Sequence, residues 1–575
     1  MEKSLKIKLL IGAVLVIGAI AVLGMALKEK FTPSETMGTL DGYYDVSAEE
    51  AVIIVENAIH EKTALLIEGG VYLSYDMITR ILMDDFYLDE EEKILSYALP
   101  EELIRVEVGK SVYYRNDEVC ALNSPALLLR EDGFYMSMEF LVMFADMQYT
   151  YYENPNRLII QNQWIDFLYF DTISEAPVRF EPDIKSDIIR QVPAGEKLYY
   201  IGGSGKSGSS FLKVMLEDGI YGYVQRKFLS ESYYDARQST HEEPVYEYNH
   251  LEEKVRLGWH IVTVPSANNN LEKVVEKTAG AMNVISPTWY ELSDNEGNFD
   301  SLADASYVER AHEMGLQVWA LISNFPMGED KGYNVSTYDI FSSTKARTAL
   351  IDNMMEEAKR IGFDGWNIDF EGMLSKTGPH FNQFLKELAI RCGEEGLILS
   401  VDNVVSALAS EKFDLKTQGQ VVDYMIIMAY DEHTAKSEVA GSVASIGFLK
   451  GAVEDSLAKI PADNIIMGIP FYTRIWSEKI VDGTAKVVGT DILTMNGGND
   501  VLKRNDLKAK WDAEIGQNYA EYRLDGVTYK IWLEDVDSLT GRLNVIGGAN
   551  LAGVAAWRLG FESEEIWPII GNYMK

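Results

Sequence analysis

The sequence predicts a multidomain protein. A C-terminal α/β barrel of the (β/α)8 kind with an α+β insertion follows a small all-β barrel and an α+β repeat domain, behind an N-terminal transmembrane helix. Three observations carry that prediction. Beyond Lys254, eight strand-like runs alternate with helical patterns. Ahead of them, from about Glu175 to Ser230, lie short β segments broken by Gly and Ser turns. At the start, an uncharged apolar run extends from Leu9 to Leu27. The 575 residues also exceed what a single core supports.

The apolar run is flanked by Lys3, Lys6 and Lys8 on one side and by Lys28, Glu29 and Lys30 on the other. A bilayer core takes about 20 apolar residues, whereas the centre of a secretory signal has about 7–15. Residues 1–30 are therefore expected to be an uncleaved signal anchor, with the basic flank in the cytoplasm and everything after it outside the cell membrane. Cleavage near Gly24-Met25-Ala26 would make the protein secreted instead. After a spacer from Phe31 to Tyr44, an internal repeat opens an expected domain at 45–165. Gly69 to Ile78 aligns with Asp132 to Leu141, matching Gly70 with Gly133, Tyr72 with Tyr135, Ser74 with Ser137 and Asp76 with Glu139. Each copy reads as a short strand, a Ser cap with an acid two residues later, and an apolar helix. The second copy leads to a further strand at Arg157 to Ile160. Short strands and turns then define an expected domain at 172–232, with Val178-Arg179, the turn Pro193 to Glu196, a Gly/Ser tip ending at Ser210, and Asp218-Gly219 to Val224. An acidic, Tyr-rich linker from Ser232 to Glu253 leads into the large domain, 254–575.

A formal charge of −37 excludes a nucleic-acid partner, since binding phosphates needs an excess of Lys and Arg. The two cysteines, Cys120 and Cys392, imply neither a disulfide framework nor a thiolate metal cluster. Barrel strands are expected at Arg256 to His260, Ala281 to Ser286, Gln317 to Ser323, Gly365 to Glu371, Leu397 to Asp402, Tyr424 to Ala429, Ile465 to Pro470 and Gly553 to Trp557. Chemistry in such barrels collects at the C-terminal strand ends. The fourth strand is the informative one. Alternation puts Trp366, Ile368 and Phe370 on one face and Asn367, Asp369 and Glu371 on the other, so two carboxylates and an amide enter an interior without a cation on the same strand.

Asp364, Gly365, Asp369 and Glu371 resemble the strand-four signature of glycoside hydrolase family 18, an Asp-Gly-x-Asp-x-Asp-x-Glu pattern whose middle Asp is here Asn367. The Asn form with Asp-Phe-Glu is most similar to the bacterial spore-cortex and cell-wall branch. Met428-x-Tyr430-Asp431 resembles the family's strand-six motif, and Trp557 stands where the family has its strand-eight Trp. The strand-three Ser-x-Gly-Gly pattern is replaced by Leu321 to Phe325. An insertion is expected at about Trp476 to Asn550. Residues 172–232 resemble the bacterial SH3-like domain, and the repeat domain resembles stalk modules named after the copper amine oxidase N-terminal region, here without a His cluster for copper.

The resemblance implies a TIM barrel and hydrolysis of polymers containing N-acetylglucosamine. Ordinary glycosidases need two facing acids, about 5–5.5 Å apart for retention or roughly 6.5–9.5 Å for inversion. Asp369 and Glu371 lie on one strand, and family 18 instead uses the substrate's own acetamido oxygen. The implied catalytic residues are Glu371 as acid/base, Asp369 on the acetamido N–H and Tyr430 on its carbonyl. The implied sugar-binding residues are Asn367, Trp259, Trp289, Met428, Asp431, Tyr472, Arg474 and Trp557. Trp319, Trp366 and Trp567 read as core. No metal or organic cofactor is implied. The expected partners are peptidoglycan or chitin and, through the first helix, the membrane. Two other readings are a chitinase or endo-N-acetylglucosaminidase acting on external glycans, and a catalytically silent glycan-binding scaffold.

Overall fold

The computed structural model describes residues 2–83, 85–116, 118–203, 210–239, 241–242, 244–325, 335–410 and 413–574. The Gly/Ser tip expected between strands of the small β domain falls at 204–209, outside the described residues. The chain forms two compact units. One comprises Met1–Asp85, Val106–Tyr113 and Val119–Glu243, and the other Phe86–Arg105, Tyr114–Glu118 and Pro244–Lys575.

In the first unit, the apolar run lies in a helix, Glu2–Phe31, long and apolar enough to cross a membrane. The repeat folds twice in the same way. Strands Gly70–Ser74 and Gly133–Ser137 each end in a Ser whose Oγ accepts from a backbone N–H three residues on, Met77 in one copy and Phe140 in the other. The two strands pair antiparallel with Leu73 opposite Met136, so the copies meet across one ladder. Arg157–Gln161 is the strand expected after the second copy. The segment from Asp166 to Ala236 forms a seven-stranded antiparallel sheet. Its core residues Val178, Leu198, Val214 and Val224 are continuous with Ile54 and Ile159 from the repeat region. The expected Asp218-Gly219 turn is tied down by an ion pair of 2.6 Å to Arg157.

The second unit contains the barrel. Its eight parallel strands are β1 (Val255–His260), β2 (Val284–Leu292), β3 (Gln317–Ser323), β4 (Gly365–Asp369), β5 (Ile398–Val404), β6 (Tyr424–Met428), β7 (Ile465–Pro470) and β8 (Gly553–Trp557). The barrel closes because β1 pairs with both β2 and β8: Leu257 lies opposite Val284 on one side and Ala555 on the other. Alternation splits the buried side chains into two layers. Trp366, Ile368 and Phe370 pack outward against Leu350, Leu385 and Leu388 of the helices, while Leu257, Trp259, Trp319, Leu321 and Ile426 fill the inside. Around β4 the chain is placed by its helix ends. Helix Thr344–Ile361 is capped by Ser343 and stopped by Gly362 at φ 83°, a left-handed conformation that glycine adopts without cost. The next helix, Gly378–Glu395, starts with a proline in its first turn and ends at Gly396 in the same left-handed form. Gly365 is required where β4 meets β5, since a Cβ there would stand 2.6 Å from the Ile398 carbonyl oxygen.

Four placements differ from expectation. β2, expected at Ala281 to Ser286, starts at Val284 and runs on to Leu292, because its far end pairs with both β3 and Phe299–Ser301. β4 ends at Asp369, so Glu371 belongs to the loop that follows. The insertion is an α+β element as expected, but its five-stranded antiparallel sheet begins at Tyr472, directly after β7, and ends at Leu533. Helix Val536–Gly548 buries Leu539, Leu543 and Ile546 in the outer barrel core and is the barrel's own. Finally, Phe86–Arg105, which lies inside the expected repeat domain, groups with the barrel. Asp89 is the reason. Its Oδ2 accepts from the Thr344 backbone N–H at 2.8 Å and from the Thr344 hydroxyl at 2.9 Å, satisfying an orphan donor at a helix N-terminus. Arg105 adds an ion pair of 3.1 Å to Glu387, which also pairs with the fully buried Arg347.

Candidate active site

At the C-terminal ends of β4, β5 and β6 the barrel interior turns polar. Asn367, Asp369 and Asp402 point inward and are buried. The Asn367 amide is bonded at both ends: its Oδ1 accepts from Trp259 Nε1 at 2.9 Å and from Ser286 Oγ at 3.0 Å, and its Nδ2 donates to Asp402 Oδ1 at 2.7 Å. Asp369 Oδ1 is buried with no hydrogen-bond partner. Burial, then the charge of Glu371, pushes Asp369 well above the usual carboxylate range. Burial, then Asp369, does the same to Asp402, against the donor from Asn367. Two full charges about 4 Å apart repel by about 4 kcal/mol at an effective dielectric of about 20, enough to keep such a pair from ionising together near neutral pH.

Above this floor, Glu371 stands at the open rim. Its backbone is clamped from β3: Asn324 Oδ1 accepts from the Glu371 N–H at 2.9 Å and Asn324 Nδ2 donates to the Glu371 carbonyl at 2.8 Å. Gly372, at φ 65°, turns the chain away immediately afterwards. Although the residue reaches solvent, its carboxyl is raised from the ordinary value, by desolvation first and by Asp431 second. It therefore keeps its proton to a higher pH than a free glutamate. On the far side, Asp431 sits at φ 59°, where Asp is among the few side chains tolerated, and accepts a hydrogen bond of 2.5 Å from the Tyr472 hydroxyl. Tyr430 lies against Tyr472 with ring centres 6.3 Å apart, in space left open by Gly468, whose Cβ would come within 3.2 Å of that ring. Burial raises the Tyr430 phenol far above its usual value, so it remains a donor. Trp557 is half-buried at the end of β8 and meets Trp259 edge to face at 5.7 Å. Met428 is buried at the end of β6, and Arg474 is buried in the insertion's first strand, Tyr472–Val481, just after β7. His260, at the end of β1, is pushed down to about 4 by burial and by Arg558, and is therefore a neutral imidazole beside Tyr307 at neutral pH.

The structure thus brings Asp369, Glu371, Tyr430, Asp431, Tyr472, Met428, Arg474 and Trp557 to the same end of the barrel. Three expected sugar contacts are not available as such. Trp259 is wholly buried inside the barrel, with its N–H spent on Asn367. Trp289 follows the alternation of β2: with Ser286 inward it faces outward like Ile285, packs on Tyr307 and donates to Asn268, and the bulge between Thr288 and Tyr290 brings Tyr290 to the same outer face. Asn367 lies beneath the acids with both amide ends occupied. Two residues recognised only as strand ends gain importance: Asn324, which holds Glu371, and Asp402, which adjoins Asp369. The signal for Asp402 was Ser400-x-Asp402 alternating with apolar residues, the same inward polar rhythm as on β4. Among the described residues, no group of three or more His, Cys, Asp or Glu side chains is arranged to hold a metal ion. The arrangement is one acid at the rim, with its carboxyl raised by burial and by Asp431, over a buried carboxyl pair, flanked by phenols and a tryptophan.

Comparison with known proteins agrees with that chemistry. Residues 327–562 match the glycosyl hydrolases family 18 model, and residues 174–230 match the bacterial SH3 domain. A Bacillus subtilis (strain 168) protein provisionally named a sporulation-specific glycosylase is 28% identical over 311 residues, covering 53% of this chain and 71% of the relative. A cortical fragment-lytic enzyme of the same organism is 24% identical over 242 residues, 40% of this chain and 55% of that protein. The C-terminal domain of a provisionally named chitinase from Desulfitobacterium hafniense DCB-2 shares the barrel fold at 19% identity, with a TM-score of 0.50 over 56% of this chain and all of that one.

Proposed function

We propose that this chain, which carries a family 18 glycosyl hydrolase domain, is an exported glycosidase. It hydrolyses the β-1,4 bond after N-acetylglucosamine in peptidoglycan of wall or spore cortex, with retention and with the substrate's acetamido group as nucleophile. One observation carries the reading: Glu371, an acid at the rim whose carboxyl is raised by desolvation and by Asp431, acts on a buried carboxyl that has an unused acceptor, Asp369. Glu371 protonates the leaving oxygen and then takes a proton from the attacking water. Asp369 accepts from the acetamido N–H as the oxazolinium forms. Tyr430 donates to the acetamido carbonyl, and Trp557 underlies the distorted sugar. Tyr472, Asp431, Met428 and Arg474 shape the wall beside it. The names of the Bacillus relatives favour cortex or wall over chitin. The N-terminal helix serves as the anchor, with residues 45–165 as a stalk-like module and the SH3 domain as a wall contact.

The bond assignment follows from the pocket's charge. N-acetylmuramic acid carries an anionic lactyl ether at its 3-position, which would lie next to Asp369 and Glu371; N-acetylglucosamine does not. Digestion of purified wall followed by borohydride reduction should therefore yield reduced glucosamine as the new end group, and a thiazoline mimic of the oxazolinium should inhibit. Reduced muramic acid as the main end group would overturn the pocket assignment. Turnover of chitin oligomers alone would favour a chitinase, and no turnover on either polymer a scaffold. Protease added to intact cells should remove the soluble mass and leave the helix in the membrane; a protected barrel would sink the orientation.

A further inference from the structure

We propose that Asp402 is a positioning residue for Asp369: the two carboxyls, side by side on β4 and β5, hold one proton between them, and Asn367 dictates which Asp402 oxygen carries it. This rests on the substrate-assisted reading above and adds a group which that reading lacks. The register places the pair. Asn367 lies opposite Ser400 and Ile368 opposite Val401, so one step further along the parallel strands Asp369 stands beside Asp402. Ile368 and Val401 both belong to the outer core, so the next residue on each strand points inward. Asp369 is 3% exposed and Asp402 is 4% exposed. Among the described residues, no Lys or Arg side chain hydrogen-bonds to either.

The orientation of Asn367 is chemically determined. An indole N–H can only donate, so the amide end facing Trp259 is the oxygen, and the end facing Asp402 is the NH2 group. Asp402 Oδ1 is thereby committed as an acceptor, and the proton is left to Oδ2. On the neighbouring strand, Asp369 Oδ1 is a buried acceptor with no hydrogen-bond partner. The other ionisable groups acting on the pair are Glu371 from the loop after β4 and Tyr430 from the loop after β6. Burial and their mutual charge disfavour the doubly ionised state. In turnover, Asp369 is anionic while it faces the acetamido N–H, and the shared proton then resides on Asp402 Oδ2. When the site empties, the proton returns to a position between the two. It moves from one carboxyl oxygen to the other and none is released, while the separate proton of Glu371 passes to the leaving oxygen and is regained from water.

The test uses the full chain and its Asp402→Asn, Asp369→Asn and Asn367→Asp variants, together with the Asn367→Asp/Asp402→Asn double variant. Wild-type-minus-variant infrared spectra of the sugar-free protein near neutral pH, in which the separate bands of Glu371 and other carboxyls cancel, should show loss of a deuterium-sensitive protonated-carboxyl band in both Asp402→Asn and Asp369→Asn. On N-acetylglucosamine oligomers or wall strands, Asp402→Asn should lower kcat about 10–100-fold with little change in KM, and should move the pH profile. The double variant, which exchanges acid and amide between 367 and 402, should recover about tenfold of that loss. A band that survives Asp402→Asn, or a variant whose pH profile superimposes on that of the wild type, overturns the proposal. If the wild type turns over neither substrate, the hydrolase reading fails, and the infrared band still decides the shared proton.

Discussion

Removing the Asn324 side chain should separate catalysis from stability at this site. In Asn324→Ala the Glu371 backbone loses both of its cross-strand hydrogen bonds, the 2.9 Å bond to its N–H and the 2.8 Å bond to its carbonyl. Because Asn324 and Glu371 both reach solvent, water can replace these partners. Each bond is then worth about 0.5–1.5 kcal/mol net, giving a loss of about 2 kcal/mol. Unfolding entropy of about 2.1 cal/mol/K per residue over a unit of roughly 330 residues converts this to about 3 °C in melting temperature. The catalytic effect should be much larger than the thermal one. Glu371 is no longer on a strand, and Gly372 follows it, so without the clamp nothing local holds the carboxyl over Asp369. A misplacement of about 1 Å costs about 100-fold in rate, and kcat should fall by 30- to 100-fold or so with KM nearly constant. Steady-state kinetics on wall digests, paired with a thermal melt, measures both. A kcat within about threefold of the wild type would show that the loop holds Glu371 without Asn324, and the positioning argument would be wrong.

Glu371→Gln should lose at least about 100-fold in turnover while still binding sugar oligomers, read by single-turnover assay and by calorimetry. Asp369 and Asp402 both have folded-state values raised above the ordinary range, so their contribution to stability is full below about pH 4 and is lost as pH rises through the raised values. The wild type should therefore melt progressively lower toward alkaline pH and Asp402→Asn should do so less; parallel curves would show that the pair does not titrate as argued. Asp89→Ala should cost about 2–3 kcal/mol in the barrel's urea unfolding by orphaning the Thr344 N–H and hydroxyl, and an unfolding curve that superimposes on the wild type would show that Asp89 does not hold this helix start.

The barrel was legible because its signals are local. Alternating apolar residues mark each strand, and Ser343, Gly362 and Gly396 punctuate the helices around β4 at the positions their backbone conformations require. The three strands Gln317–Ser323, Ile465–Pro470 and Gly553–Trp557 were readable to the residue. The repeat was legible for the same reason, since Ser74 and Ser137 cap their helices through bonds only three residues long. Glu371, Asp369, Tyr430 and Asp431 could be named because they sit within short motifs on single strands. What each of those side chains faces could not be read in that way. Trp289 looked like a residue at the mouth of the barrel until β2 proved to run on to Leu292, which places Trp289 inside the strand on the outward face it shares with Ile285. Asn367 looked like a sugar contact until Trp259, Ser286 and Asp402, from three other strands, engaged both ends of its amide inside the barrel. By itself the sequence determined the strand order, the acidic motif at the end of the fourth strand and the apolar helix at the start, because these depend on periodicity and on neighbours a few residues apart. Only the tertiary structure decided which polar groups share a proton, which hold Glu371 in place and where Phe86–Arg105 docks, because each depends on register between segments tens to hundreds of residues apart, for which a single strand carries no signal.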